Sequence, residues 1–336
     1  MSILKVDTLQ NSVGENLVFG NKNLLINGSQ SVWQRSTSES VSTSIYSTVD
    51  RFATRVSGMG TFTISRSTDV PSGQGFGYST KWDCTTADAS PAAGDYLIFA
   101  QKMEGQNLQH LLKGTSSAKK ITVSFWVKSN KTGTYIVRIL DEDNTRQISK
   151  SYTISSASTW QKVELTFDGD TTGTLDNDNA SSLRIQWWLG TGSTYSSGTL
   201  ATSWESVTNA NMAVGQVNLA DSTSNEWYIT GCQLEVGSKA TDFEFEPYAM
   251  TYNKCIRYYY VIDFQLEGVL NWATNFMVAN IHAPNGEFRD TPTSIVFFDT
   301  SGGGTWGSSA ATKTGFRIYN SGVAGKVTKI KIDAEL

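Results

Sequence analysis

The sequence has few charged residues, two histidines and three cysteines in 336 residues. Charged residues make up 17% of the chain, against about 25% in an average soluble domain. The deficit is filled by Ser, Thr, Asn, Gln and Gly, so the surface depends on neutral hydrogen-bonding groups. With a net charge of −4, the chain has no broad positive field for phosphates, which argues against nucleic acid as a partner.

The three cysteines, Cys84, Cys232 and Cys255, are odd in number and lack CxxC spacing. Such a set suggests neither a disulfide framework nor a zinc site. We therefore expect three buried free thiols, each of which packs as a small apolar residue.

The sequence also lacks targeting and membrane signals. Its first residues show no cationic stretch followed by a continuous apolar run, and no segment is long enough to cross a bilayer. We expect a chain that is made and folded in a cytoplasm and does not insert into a membrane.

Residues for catalysis are scarce. General acid–base or nucleophilic chemistry usually uses a histidine or a pair of carboxylates in a pocket. Neither His110 nor His282 lies in a known nucleophile motif. The acidic runs at 141–143 and 176–178 have the composition of solvated turns. We expect no catalytic residues, although an acidic pair assembled in three dimensions leaves a glycan depolymerase as an alternative.

Most of the chain consists of short runs in which apolar and polar residues alternate, bounded by Gly, Ser, Asn and Asp. The runs 121–128 and 182–189 have one apolar face each. Many short antiparallel strands with one apolar face pair their inner faces in a β-sandwich. The predicted fold class is all-β, and a jelly-roll β-sandwich is the favoured topology. One helical pattern interrupts it at 103–112, where three leucines share one side.

The pattern divides the chain into four parts. Residues 1–22 read as an extended N-terminal arm, because their weak alternation cannot bury a core alone. Residues 23–248 form the jelly roll, and residues 249–257 form a connector that is either a short helix or an extended linker. Residues 258–336 form a small C-terminal β domain. Such a small domain would gain stability from packing on symmetry mates.

A set of motifs occurs in a fixed order along the chain. The longest lies between Trp227 and Tyr260 and contains TGCQLEVGSKATDFEFEPY followed by CIRYYY. Earlier members are NLLINGSQSVWQR from Asn23, DRF from Asp50, GTSSAKKITVSFWVKS from Gly114 and GDTTGT from Gly169. In this order they resemble the motifs of bacteriophage tail-fibre and receptor-binding proteins with a jelly-roll domain like that of carbohydrate-binding modules.

The resemblance implies a virion protein that is synthesised in the host cytoplasm and forms a homotrimer with the C-terminal domains at a distal tip. Its N-terminal arm would join a phage tail, an adaptor or another virion protein, and it would bind a host cell-surface glycan multivalently without enzymatic activity. The alternative is a structural head-fibre, collar or baseplate decoration protein without receptor binding. A depolymerase is the third hypothesis, against which the chain lacks the parallel-strand repeats of a β-helix tailspike.

Candidate carbohydrate-binding residues are aromatics on the polar side of predicted strands. Sugar rings pack their C–H faces on flat aromatics, and polar side chains bind their hydroxyls. Trp126 has this position in one strand, and Trp188 has it in another, with Arg184 and Gln186 beside it. The partner of such an aromatic is a glycan, another subunit of a trimer or a covering loop. The sequence leaves these three open.

The C-terminal domain offers three further aromatics near polar, Gly-rich turns, namely Trp272, Phe276 and Trp306. Loops on a rigid scaffold often carry recognition. These residues are therefore carbohydrate-binding candidates, with trimer packing or a loop anchor as the alternative.

Asp168, Asp170 and Thr172 are a candidate for calcium, because they place oxygen ligands two residues apart before a glycine. The match ends at the twelfth position of the loop, which is Asn179 instead of a bidentate glutamate. In the family that the chain resembles, the GDTTGT motif that contains Asp170 and Thr172 forms a turn between strands. We expect no cofactor, with calcium as the alternative.

Overall fold

The computed structural model describes residues 22–268, 276–283, 287–298, 301–302, 305–321 and 325–335. The predicted N-terminal arm thus lies almost wholly outside the described residues. Within them, antiparallel strands dominate and form two pairs of sheets. The all-β prediction is confirmed.

The first pair of sheets is a jelly-roll β-sandwich. The strands of its first sheet are β1 (Ser38–Val41), β3 (Thr61–Ser67), β4 (Ser79–Thr86), β6 (Ile121–Ser129), β9 (Gln161–Phe167) and β12 (Glu226–Val236). Those of its second sheet are β2 (Ala53–Ser57), β5 (Tyr96–Glu104), β7 (Gly133–Asp141), β8 (Arg146–Ile154), β10 (Ser181–Thr191) and β11 (Glu205–Ser206). The spatial orders are β1-β3-β4-β12-β6-β9 and β11-β8-β7-β10-β5-β2. The chain passes from one sheet to the other at almost every step after β4, which is the wrapping of a jelly roll.

Aromatic side chains fill the space between these two sheets, with Phe99 at the centre. Its ring stacks on Phe52 at a centroid distance of 4.8 Å. It also lies 5.8 Å from Trp82, 6.1 Å from Trp187 and 6.2 Å from Trp227. Each such pair adds about 0.5–1.5 kcal/mol beyond the burial of its surface. Because Trp82 and Trp227 belong to the first sheet and Trp187 to the second, these contacts join the two sheets.

The C-terminal part contains a second pair of sheets. One consists of β13 (Tyr259–Gly268), β15 (Ser294–Phe298), β16 (Ser301–Gly302) and β19 (Gly325–Asp333), in which β19 pairs with each of the others. The other has the order β14 (Phe276–His282), β18 (Gly315–Ser321) and β17 (Thr305–Thr312). The helix α1 (Tyr248–Ile256) precedes β13, so the connector takes the helical form of the two that its sequence allowed.

Buried polar contacts join the C-terminal part to the jelly roll. Glu104, at the end of β5, accepts hydrogen bonds from the Tyr258 hydroxyl at 2.5 Å and from Arg257 Nη2 at 3.1 Å. Arg289 of the C-terminal part donates to the Asn179 carbonyl of the jelly roll at 3.1 Å, and is held by the Ala334 carbonyl of its own part at 2.8 Å. The two parts therefore share an interface in addition to their covalent link.

The helix predicted over 103–112 is wrong. β5 continues to Glu104, and two short 3-10 helices follow, Gly105–Asn107 and Gln109–Leu111. Leu108 and Leu111 are buried, but Leu112 is 42% exposed and has a left-handed backbone with φ of 50°. The three leucines therefore do not share one face, and backbone N–H groups of the segment instead donate hydrogen bonds to the Ala180 and Asp178 carbonyls in the loop before β10.

The expectation of solvated turns at the two acidic runs is half right. Residues 176–178 are exposed, but Asp141 is fully buried at the end of β7 and pairs with Lys113. All three cysteines are buried free thiols, as predicted. In the part of the chain that the structure describes, no helix has the length and apolar character needed to span a bilayer.

Candidate functional site

The two tryptophans predicted to bind sugar lie on outer faces of different sheets. In β6, Phe125 and Val127 point into the core, so Trp126 between them faces outward. In β10, the core residues Trp187 and Leu189 likewise place Trp188 on the outer face. Because β6 and β10 belong to opposite sheets, the two side chains cannot contribute to one site.

Trp188 is covered by its own chain. It is 1% exposed and packs in a cluster with Ile98, Ile136 and Met212. The Tyr195 ring, from the loop after β10, lies over it at a centroid distance of 5.6 Å. Trp188 is therefore not available as a sugar platform in this conformation. Of its three possible partners, the structure shows the covering loop.

Arg184 and Gln186 share this outer face of β10 with Trp188 but are engaged with neighbouring strands. Gln186 is 4% exposed, and its Oε1 accepts a hydrogen bond from Arg138 Nη1 at 2.7 Å. Arg184 forms an ion pair with Glu142 and keeps 12% of its side chain exposed. Of Arg184 and Gln186, Arg184 is therefore the one with more side-chain exposure to solvent.

Trp126 differs from Trp188 because no loop among the described residues covers it in the same way. The side chain is half-buried. Within the described part of the chain it has no aromatic ring contact, and its indole N–H has no hydrogen-bond acceptor. Its neighbour in the edge strand β9 is Lys162, which forms an ion pair with Glu164 at 2.8 Å. A flat aromatic thus lies beside charged groups that can bind hydroxyls.

A hydrogen-bonded aromatic cluster surrounds Lys128, which follows Trp126 by two residues along β6. Lys128 Nζ lies 4.3 Å from the centroid of the Tyr228 ring and 5.5 Å from that of Trp160. Asp69 pairs with Lys128 and accepts a hydrogen bond from Trp160 Nε1 at 2.9 Å. Burial alone would raise the pKa of Asp69, but these two hydrogen bonds lower it. The carboxylate therefore stays ionised and holds both neighbours in place.

The other end of this sheet face is closed by the chain itself. Gly231 in β12 has a φ of 62°, and a side chain there would collide with the Phe76 ring. Phe76 packs on Phe243 and Phe245 of the segment that follows β12. Thr230, beside Trp126, is fully buried and donates to the Tyr78 carbonyl at 2.8 Å.

We name the open remainder the Trp126 surface. It comprises Trp126, Lys128, Trp160, Lys162 and Glu164. Trp160 is not among the candidates predicted from the sequence. It lies in a polar loop just before β9, and only its contacts with Lys128 and Tyr228 bring it to this face. A tryptophan in so polar a loop was the one available signal.

The C-terminal candidates are only partly described. Trp272 lies outside the described residues. Phe276 begins β14 and Trp306 lies in β17, and both pair with Asn320 of β18. The register therefore places these two candidates in the same row of one sheet, two strands apart.

The calcium candidate is occupied by protein cations. Asp170 is 5% exposed and accepts hydrogen bonds from Arg146 Nε at 2.7 Å and Nη2 at 3.0 Å. Its Oδ2 also lies 3.1 Å from Lys113 Nζ, while Asp168 pairs with Lys120 at the surface. No group of three or more potential metal ligands is found among the described residues. The arrangement does not suit calcium, since two positive charges already neutralise Asp170.

No protein-family model and no curated protein sequence matches the chain.

Several solved structures are similar in fold. The bacteriophage CBA120 tailspike protein 4 enzymatically active domain aligns with 64% of this chain at 14% identity and a TM-score of 0.34, and the match spans 22% of that tailspike chain. TmCBM61, solved in complex with β-1,4-galactotriose, aligns over 65% of this chain and 100% of its own at 12% identity, with a TM-score of 0.31. The family 11 carbohydrate-binding module of the Clostridium thermocellum cellulase Lic26A-Cel5E covers 60% and 89% at 13% identity, with a TM-score of 0.28. All three TM-scores are below 0.5, so these similarities carry no argument about function.

Proposed function

We propose that the chain is a non-enzymatic phage fibre protein that binds a host cell-surface glycan. Two independent observations support the proposal. The ordered motifs between Asn23 and Tyr260 support a phage virion. The Trp126 surface supports saccharide binding.

The single observation that carries glycan binding is the partly exposed Trp126, which has no aromatic or hydrogen-bonding partner among the described residues. An exposed indole face is an apolar surface that a sugar ring can cover with its C–H groups. Lys162 and Glu164 supply a donor and an acceptor for hydroxyls beside it. Trp160 and Lys128 are fixed by Asp69, so little side-chain freedom is lost on binding.

Attachment and multivalency are further parts of the proposal. Lys22, where the described chain begins, donates hydrogen bonds to Thr241 and Asp242. The arm of residues 1–22 would leave the jelly roll there and join the virion. In a homotrimer, three weak sites act together, and avidity can exceed single-site affinity by about 10² to 10⁴.

Exposed apolar residues around the start of α1 support a contact with another protein. Phe245 is 54% exposed, Tyr248 59% and Met250 46%. Contiguous patches of exposed apolar residues often mark protein interfaces. They suit another subunit or a virion protein. The same residues also favour the second candidate function, a head-fibre, collar or baseplate decoration protein without receptor binding.

A glycan array of bacterial surface polysaccharides tests the proposal. Full-length protein should bind a subset of these polysaccharides and release no reducing ends from them. Electron microscopy of the virion should place the protein on a fibre. Absence of binding from the whole array, with the protein on the capsid, would favour the decoration protein, and release of reducing ends would establish a depolymerase.

A further inference from the structure

Two cations lie directly opposite each other on the outer face of the second sheet. Lys102 of β5 pairs in register with Arg184 of β10. Directly opposed residues in antiparallel strands have Cβ atoms about 4.5–5.5 Å apart, and like charges in that position destabilise a sheet. This placement therefore needs a compensating anion.

The described residues supply little compensation. Glu142 pairs with Arg184. The side chains of Lys102 and Arg55 have no hydrogen bond or ion pair within the described part of the chain, and only the Lys102 main-chain carbonyl is used, by Arg51. Lys102, Arg55 and Arg184 are each partly exposed, so part of every side chain meets solvent, although Arg184 keeps only 12% of its side chain exposed. We name these three residues the cationic cluster.

The surrounding charges also change the pKa of Lys102. Burial lowers the pKa of Lys102, and three neighbouring arginines (Arg184, Arg55 and Arg289) add to this effect against the single carboxylate of Glu142. Several other recessed cations of the jelly roll contact acids directly. Lys113 contacts Asp141 and Asp170, for example. In the cationic cluster only Arg184 has such a contact, and an anionic ligand would offset the repulsion among the three cations.

We propose that the cationic cluster binds the anionic group of an acidic saccharide, either a carboxylate or a phosphodiester. Arginine and lysine form strong charge-assisted hydrogen bonds with both groups. A nucleic acid would require a row of cations along its backbone, whereas here Lys102 and Arg184 lie opposite each other and Arg55 lies on the adjacent strand β2, in a chain of net charge −4. The proposal rests on the proposed function for the saccharide and extends it with a second site, on the sheet opposite to Trp126.

Binding of defined probes to the full chain tests the proposal. Oligogalacturonate provides carboxylates, a glycerol-phosphate oligomer provides phosphodiesters, and a neutral cello-oligosaccharide provides neither. Titrations at low ionic strength should show binding of at least one acidic probe. Lys102→Gln and Arg55→Gln should each weaken it about tenfold, since each removes a hydrogen bond to a charged group. Lys119→Gln, which removes an exposed lysine elsewhere, should leave it unchanged.

The acidic probe that binds more tightly identifies the source of the anion. Binding of neither acidic probe would overturn the proposal, as would equal weakening by Lys119→Gln, because that would reveal only a response to net charge. Trp126→Ala separates the two sites. If it abolishes neutral-glycan binding while the acidic probe still binds, the cationic cluster acts independently. If no glycan binds at the Trp126 surface but Lys102→Gln weakens binding of the acidic probe, the proposed glycan site at Trp126 is wrong. The proposed anion site at the cationic cluster is then supported.

Discussion

Arg35 and Asp333, 298 positions apart in sequence, are joined by a hydrogen bond of 3.1 Å between Nη2 and Oδ2. The Arg35 guanidinium also lies 3.6 Å from the centroid of the Tyr259 ring. Two residues after Asp333, Glu335 pairs with Arg51, whose side chain is 1% exposed. Buried ion pairs thus fasten the end of the chain to the jelly roll.

Removal of Arg51 should weaken the fold strongly. In Arg51→Met, Glu335 keeps its burial and retains only Arg35, whose Nη1 lies 3.5 Å from its Oε1. Loss of one partner from a buried ion pair should then cost about 3 kcal/mol, the lower end of the range for such a change. Urea unfolding should show this loss in the free energy of unfolding. Lys120→Met is the control, because Lys120 pairs with Asp168 at the exposed surface and should change stability very little. Equal effects of the two substitutions would contradict the role of Arg51.

The titration of Asp50 should lower the free energy of unfolding as pH rises from 4 to 6. Burial raises the pKa of Asp50 to about 6, although Arg35 favours the carboxylate. An unfolded aspartate titrates near pH 4. Between these values the folded state holds a proton that the unfolded state has lost, so stability falls with pH and levels off above about 6.

The expected loss from Asp50 is about 3 kcal/mol, from two pH units at about 1.4 kcal/mol each. Asp50→Asn removes this titration while other carboxylates continue to titrate. The difference in free energy of unfolding between wild type and Asp50→Asn, measured from pH 4 to 7, isolates it. Parallel pH profiles of the two proteins would contradict the raised pKa.

Substitution of the two tryptophans predicted to bind sugar should lower the free energy of unfolding by different amounts. Trp188→Ala leaves a cavity under the covering loop and should cost about 3–5 kcal/mol. Trp126→Ala removes a half-buried side chain without a ring partner and should cost about 1 kcal/mol or less. Chemical unfolding of both variants measures the difference. A larger loss for Trp126→Ala would mean that it, and not Trp188, is the packed residue.

Calcium should not change thermal stability. A ligand that binds only the folded state raises the melting temperature by mass action, but Asp170 is already neutralised by Arg146 and Lys113. Melting curves with a chelator and with millimolar calcium should coincide. A rise with calcium, lost in Asp170→Asn, would restore the calcium hypothesis.

Strand positions could be predicted because alternation is local. The phases of β6 and β10 correctly placed Trp126 and Trp188 on outer faces. The same local signal could not distinguish them, since Trp188 is covered by residues such as Met212 from a distant loop. Likewise, the opposition of Lys102 and Arg184 depends on strand register across 82 positions. Sequence patterns give faces, but long-range pairing decides what covers them.

The predicted helix over 103–112 failed for a related reason. Its leucine spacing suited a helix, but Glu104 is held by Arg257 and Tyr258. These partners lie more than 150 positions away. Tertiary contacts outweighed the local pattern.

The most direct measurement is the affinity of wild type and Trp126→Ala for the best glycan from the array, by titration calorimetry. Loss of a central aromatic contact typically costs 2 kcal/mol or more, or about thirtyfold in affinity. Trp204→Ala is the matched control, since Trp204 is also half-buried but binds the Asp168 carbonyl through its indole N–H. Glycan binding through Trp126 predicts that Trp126→Ala loses affinity at least about tenfold while Trp204→Ala retains it. Full affinity in Trp126→Ala would contradict a glycan site on this surface.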